Sequence, residues 1–245
     1  MRRIFLTVIM VMASVSVSAA AVFNSEKEFE NFMTYYYRDP QPEKVIAALS
    51  YYVNSPLYKD SGSRMSLAHF FAYILKSEPA ILEQYYERQN NKGTTDSRIF
   101  ALNVLWLINN KSSLDMISKA EHNWKDRQIQ KIIMNIHAAS VYDVLKGTPR
   151  TPAELNNLWG IFLATGNELA VKKVISVLPF KEKSEKKDIL LGAAAQWSLA
   201  SNAIQHEKVL GILKHEQKFA RGTVKKLLKQ MIENAQIQNQ SPFSM

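Results

Sequence analysis

The chain has 245 residues, 47% of them hydrophobic and 22% charged, with 8 Gly, 8 Pro and no Cys. That composition excludes intrinsic disorder, a collagen-like repeat and a disulfide-stapled miniprotein as whole-chain descriptions, and the missing thiol removes cysteine nucleophiles and cysteine-based zinc sites. The formal charge of +9 comes from 31 basic and 22 acidic residues, so the placement of the basic groups matters to any functional reading.

The first residues, MRRIFLTVIMVMASVSVSAAAVF, run from two arginines through an apolar stretch, Ile4 to Val17, into small residues. This is the order of a secretory signal peptide, with cleavage expected after Ala19 or Ala21 and residues 1–21 as the leader. The apolar run is about 14 residues where a membrane span needs about 20, and Ser14, Ser16 and Ser18 dilute its end. Without Cys there is no thiol for lipid attachment. Losing Arg2 and Arg3 leaves a mature charge of +7 and a periplasmic or secreted product.

Beyond the leader, apolar residues recur at helical spacing and strand-like alternation is not sustained. Phe29, Phe32, Met33 and Tyr36 line a first helix; Val45, Ile46, Leu49, Tyr52 and Val53 line a second. Leu67, Phe71, Ile74 and Leu75 mark a third, and Ile81, Leu82, Tyr85 and Tyr86 a fourth. Ile99 to Asn109 follows, with Asp96 or Ser97 as its expected cap, then a short element from Leu114 to Ala120. A long helix over 124–146 should carry Ile129, Ile133, Ile136, Ser140 and Val144. Thr151, Pro152 and Glu154 spell an N-cap, a first-turn proline and the acid of a capping box. Three or four more helices complete the chain.

The helices read as pairs. Ser63-Arg64-Met65 and Ser97-Arg98-Ile99 each open a bulky helix and lie 34 residues apart. Val45, Ile81, Leu114, Val171 and Val209 open five shorter helices at intervals of 36, 33, 57 and 38, the 57 holding the extra helix. A period in the mid-thirties is that of helix-turn-helix repeats, which bury their faces only by stacking. The expected fold is therefore all-α, with repeats stacked as a short α-solenoid over residues 22–236 and a polar tail at 237–245; an irregular helical bundle is the alternative. LWGIFLATGN (Leu158 to Asn167) with VKKVISVLP, and AAAQWSLASNA (Ala193 to Ala203) with HEKVLGIL, resemble segments of uncharacterised exported bacterial proteins of tetratricopeptide-like, all-helical build. The resemblance is clearest over 150–215. It implies fold and export, and no activity.

Motifs for chemistry are sparse. HExxH, GxSxG, GxGxxG and GxxxxGK are absent, so no metal, nucleotide or other cofactor is expected. The SxxK match at Ser184 and Lys187 falls in a charge run, Ser198 reads as a packing residue, and His69 and His137 read as hydrogen-bonded packing histidines. Paired carboxylates are the one enzyme option left open, and Glu83 and Glu87, one helical turn apart beside Tyr85 and Tyr86, are such a pair. They define the alternative reading, a carboxylate-based hydrolase acting on envelope glycan.

Binding surface is the stronger expectation. Nine of the ten tyrosines lie between Tyr35 and Tyr86, and Tyr35, Tyr51 and Tyr73 fall off the main stripes of their helices, where aromatics either pack between repeats buried on two sides or line a partner groove. Lys218, Arg221, Lys225 and Lys229 recur opposite Val224, Leu227, Leu228 and Met231 as one cationic amphipathic helix, suited to an anionic membrane surface or to the polar exterior of a capping helix. The expected function is an exported scaffold or binding module for a protein partner in the bacterial envelope, not an enzyme. Nucleic acid is not an expected partner.

Overall fold

A computed structural model describes residues 22–240. The expected leader, 1–21, lies outside them, as do residues 241–245. Among the described residues the chain is all-α, with twelve α-helices and no strand. In order they are α1 (Glu26–Tyr35), α2 (Val45–Asn54), α3 (Ser61–Ser77), α4 (Pro79–Lys92), α5 (Thr95–Ile108), α6 (Lys111–Asn123), α7 (Arg127–Ala138), α8 (Pro152–Thr165), α9 (Glu168–Ile175), α10 (Lys186–Gln205), α11 (Glu207–Phe219) and α12 (Gly222–Gln240). No described helix is long and apolar enough to cross a membrane.

Local chemistry explains most boundaries. The Glu28 N–H donates to Ser25 Oγ at the start of α1, and the Glu154 N–H donates to Thr151 Oγ1 at the start of α8. In both helices the third-position glutamate reaches back past the cap: Asn24 N–H donates to Glu28, and Arg150 N–H to Glu154. Asn110 and Ser113 close a reciprocal capping box on α6. Gly166 ends α8 in the left-handed region at φ 66°, where a side chain is disfavoured.

Four expectations need correcting. The cap of α5 is Thr94, whose Oγ1 accepts from Ser97 N–H, rather than Asp96 or Ser97. The long helix over 124–146 is a twelve-residue helix, α7, which stops at Ala138. Ala139 is extended, and Val144 is thereby delivered to a different core from that of Ile129 and Ile133; burial there outweighs continuation of an exposed helix. The C-terminal basic stripe breaks, because Ala220 is extended and Gly222 has φ 53°. Lys218 therefore belongs to α11, Arg221 to the link, and Lys225 and Lys229 to α12. Finally, α12 runs to Gln240, into the stretch read as a polar tail.

The described residues bury two apolar clusters. One gathers α1 to α7 around residues such as Phe29, Tyr52, Phe71, Phe100 and Ile133; the other gathers α8 to α12 around Leu158, Phe162, Val174, Leu199 and Leu228. Tyr73 and Leu163 pack against both. The two are joined by α3 against α8, the most extensive helix pair among the described residues. There Gly160 crosses so close to α3 that a Cβ would overlap the Ser66 carbonyl oxygen, Ser66 Oγ donates to the Asn156 carbonyl at 2.8 Å, and Ala164, one turn on, enters the first cluster.

Candidate functional site

The Tyr35-Tyr36-Tyr37 run follows from α1 and ties the halves together. Tyr36 packs edge-on against Phe32 and Phe70 in the first cluster. Burial, aided by Glu78 and Glu43, pushes its phenol up to about 12. Tyr37 faces the other way: its N–H donates to the Leu163 carbonyl at 3.0 Å, its ring lies 4.9 Å from Phe162, and its hydroxyl shares a 3.3 Å hydrogen bond with His206 Nδ1. His206 is 0% exposed. Burial, with Arg38 nearby, lowers its pKa to about 4, so it is neutral at physiological pH.

Beside this junction lies a groove of about 570 Å3 between α1, the start of α3 and α8. Its floor is apolar, with Met33, Leu67, Phe70, Trp159 and Leu163, and its rim carries Glu30, Thr34, Asp60, Ser63, Ser66 and Asn156. The Gly160 crossing brings Asn156 and Trp159 over α3, and the N-cap role of Asp60 fixes one carboxylate oxygen on the Gly62 N–H at 2.9 Å. Trp159 is 7% exposed, and its indole N–H has no hydrogen-bond partner among the described residues. A floor of this kind takes an apolar body, and the two rim carboxylates favour a cationic group beside it.

The aromatics singled out from sequence do not share this groove. Tyr51 packs on Phe23 and Phe29 and lines a separate cleft of about 680 Å3 with Glu43, Asn54 and Arg88. Tyr73 lines a smaller, polar cleft of about 280 Å3 with His69, Lys76, Asp143 and Lys146; burial and Asp143 push its phenol up. Tyr35 lies against the His206 ring with the Arg38 guanidinium over its own face. All three are half-buried: Tyr51 and Tyr73 each line a cleft of their own, and Tyr35 packs on His206.

Lys218, Arg221, Lys225 and Lys229 are all exposed, and Lys229 pairs with Glu233 at 3.6 Å. Glu83 and Glu87 stand exposed on α4 and line none of these three clefts. Ser198 is buried and donates to the Ala195 carbonyl. His69 is the expected packing residue, its Nδ1–H donating to the Met65 carbonyl at 2.8 Å, but His137 is exposed beside Glu121 at 3.3 Å. No three His, Asp or Glu side chains are grouped to hold a metal ion among the described residues.

No protein-family model, curated protein or solved structure matches the chain. The groove residues Glu30, Asp60 and Asn156 were not singled out from the sequence. One signal pointed there: Gly160 inside the helical segment LWGIF, where glycine costs about 1 kcal/mol against alanine and marks a close approach.

Proposed function

We propose that the chain is an exported binding protein of the bacterial cell envelope that seats an apolar segment of a protein partner, carrying a basic residue, in the α1/α3/α8 groove. The observation that carries this reading is the groove itself: an apolar floor rimmed by the carboxylates of Glu30 and Asp60. The opening leader pattern supports export, and the likeness of residues 150–215 to exported helical proteins agrees with it. In this reading the helices stack as helix-turn-helix repeats. The Trp124 indole N–H, which donates to Asn90 Oδ1 across 34 residues at 3.2 Å, supports such stacking between the ends of α4 and α6.

The test is site-specific photocrosslinking. A photoreactive amino acid at Thr34, on the rim, should crosslink to a synthetic amphipathic peptide of leucine and lysine. The same group at Glu83, on the far exposed face of α4, should not. Equal labelling from both positions would refute a seated segment. The hydrolase alternative predicts instead that Glu83→Gln and Glu87→Gln abolish biological function in a folded protein; the binding reading predicts that they leave it intact.

A further inference from the structure

Helix α3 buries Phe70, Phe71, Ile74 and Leu75, yet His69, Tyr73 and Lys76 share another of its faces at the i, i+4 and i+7 positions. These three line one side of the polar cleft of about 280 Å3. Asn109, which closes α5, and the 141–146 segment beyond α7 line the rest. The cleft shares no lining residue with the α1/α3/α8 groove, so it does not depend on the groove being a binding site.

The far wall is held in place by its own bonds. Leu145 N–H donates to Asp143 Oδ1 at 3.0 Å, Lys146 Nζ lies 3.6 Å from Asp143 Oδ2, and Lys173 of α9 donates to the Lys146 carbonyl at 3.2 Å. Both Asp143 oxygens are thereby engaged, and Lys146 offsets their charge. Lys76 forms no ion pair among the described residues, which leaves the cleft one uncompensated cation.

His69 is 5% exposed. Its Nδ1–H is spent on the Met65 carbonyl, so Nε2 carries a lone pair. Burial outweighs that hydrogen bond and nearby Asp143, lowers the ring's pKa and keeps it neutral. Neither Nε2 nor the Tyr73 hydroxyl has a hydrogen-bond partner among the described residues, and neither is among the polar atoms sealed in the interior. A side chain as buried as His69 ordinarily has its polar atoms satisfied; here the open atom belongs to a residue that lines a cleft. The end of α5 adds acceptors, since the last carbonyls of a helix lack intrahelical donors.

We propose that this cleft binds a small hydroxylated carboxylate, a sugar acid or a shorter hydroxy acid, whose hydroxyls meet His69 Nε2 and the Tyr73 hydroxyl and whose carboxylate sits beside Lys76. Each half of that ligand follows from the lining. A neutral imidazole with Nδ1 spent accepts from an O–H donor. One free lysine matches a monoanion, whereas a phosphate monoester carries a charge of about −1.5 to −2. Asp143 has no oxygen to spare for an ammonium, which sets an amino acid aside. The volume lies just under the range of about 300 to 1,000 Å3 for drug-sized ligands, so the occupant is small.

Titration of gluconate into the 15N-labelled protein, followed by NMR, should give saturable shifts of the Asn109 and Asp143 amides and of the His69 ring, with a Kd on the order of 1 mM or tighter. Sorbitol keeps the hydroxyls without the charge and hexanoate keeps the charge without the hydroxyls; each should bind at least about tenfold more weakly. Lys76→Met, at an exposed position, and Tyr73→Phe, which deletes only a hydroxyl, should keep the helical spectrum and weaken gluconate binding about tenfold and about fivefold. Lys27→Met, on α1, should leave it unchanged. The absence of saturable shifts up to on the order of 20 mM gluconate, hexanoate binding as well as gluconate, or an affinity indifferent to both cleft substitutions would each overturn the proposal. Tighter binding of glycerol 3-phosphate than of glycerate would overturn it too, by showing a site for a dianion.

Discussion

At the scale of single residues, Gly160 and His206 control how the two clusters meet. A methyl group at Gly160 would overlap the Ser66 carbonyl oxygen, which is main chain and cannot turn away. Gly160→Ala is therefore expected to cost about 1 to 3 kcal/mol by overpacking, although alanine is the better helix former; chemical denaturation measures it, and a stabilised variant would mean that α3 and α8 do not cross as described. His206 gives the molecule a pH dependence. Its folded pKa, about 4, lies below the usual 6.5, so between those values the unfolded chain binds a proton that the folded chain refuses, and stability falls as the pH is lowered through that window. The slope is about 1.4 kcal/mol per pH unit for such a group, and buried His69, lowered in the same direction, adds to it. Melting curves between pH 6.5 and 5 should show His206→Phe losing less stability than the parent; parallel slopes would place His206 in water.

At the scale of elements, helix boundaries coincide with local breakers at Pro56, Gly93, Pro149 and Gly166, each of which lies between two described helices. Two boundaries were not expected from the sequence. Helix α7 ends at Ala138, and Val144, beyond it, is buried in the second cluster. Nothing local but Gly222 breaks the basic C-terminal stripe into α11 and α12, and the pattern of lysines continues across the break. Tyr35, Tyr51 and Tyr73 are half-buried off the main stripes of their helices, Tyr51 and Tyr73 each beside a separate cleft. The groove was illegible because its rim comes from residues 30, 60 and 156, brought together only by the α3 and α8 crossing. Since the four basic residues lie on two helices and a link, all solvated, reversing Lys218, Arg221, Lys225 and Lys229 to Glu should leave the melting temperature nearly unchanged, and neither protein should sediment with anionic vesicles. Sedimentation of the parent that weakens with salt and is lost on reversal would favour a membrane-facing C-terminus instead.

At the scale of the whole molecule, two apolar clusters are fastened by one glycine-lined helix crossing and one run of three tyrosines, and the groove opens beside that fastening. An occupant that contacts α1, α3 and α8 together bridges both halves, so binding should stabilise the protein as well as label it. Export is part of the same account: the protein recovered from the envelope fraction should begin within residues 20 to 22 by N-terminal sequencing, and an intact Met1 there would contradict it. The central claim is that the groove recognises an apolar segment by its accompanying positive charge. Fluorescence polarisation with a labelled leucine/lysine peptide and its leucine/glutamate counterpart tests this directly, using the parent and a Glu30→Gln/Asp60→Asn variant that keeps the α3 cap. The account predicts a preference of about tenfold for the lysine peptide in the parent, lost in the variant; equal binding of both peptides by the parent, or a preference untouched by the two substitutions, would contradict it.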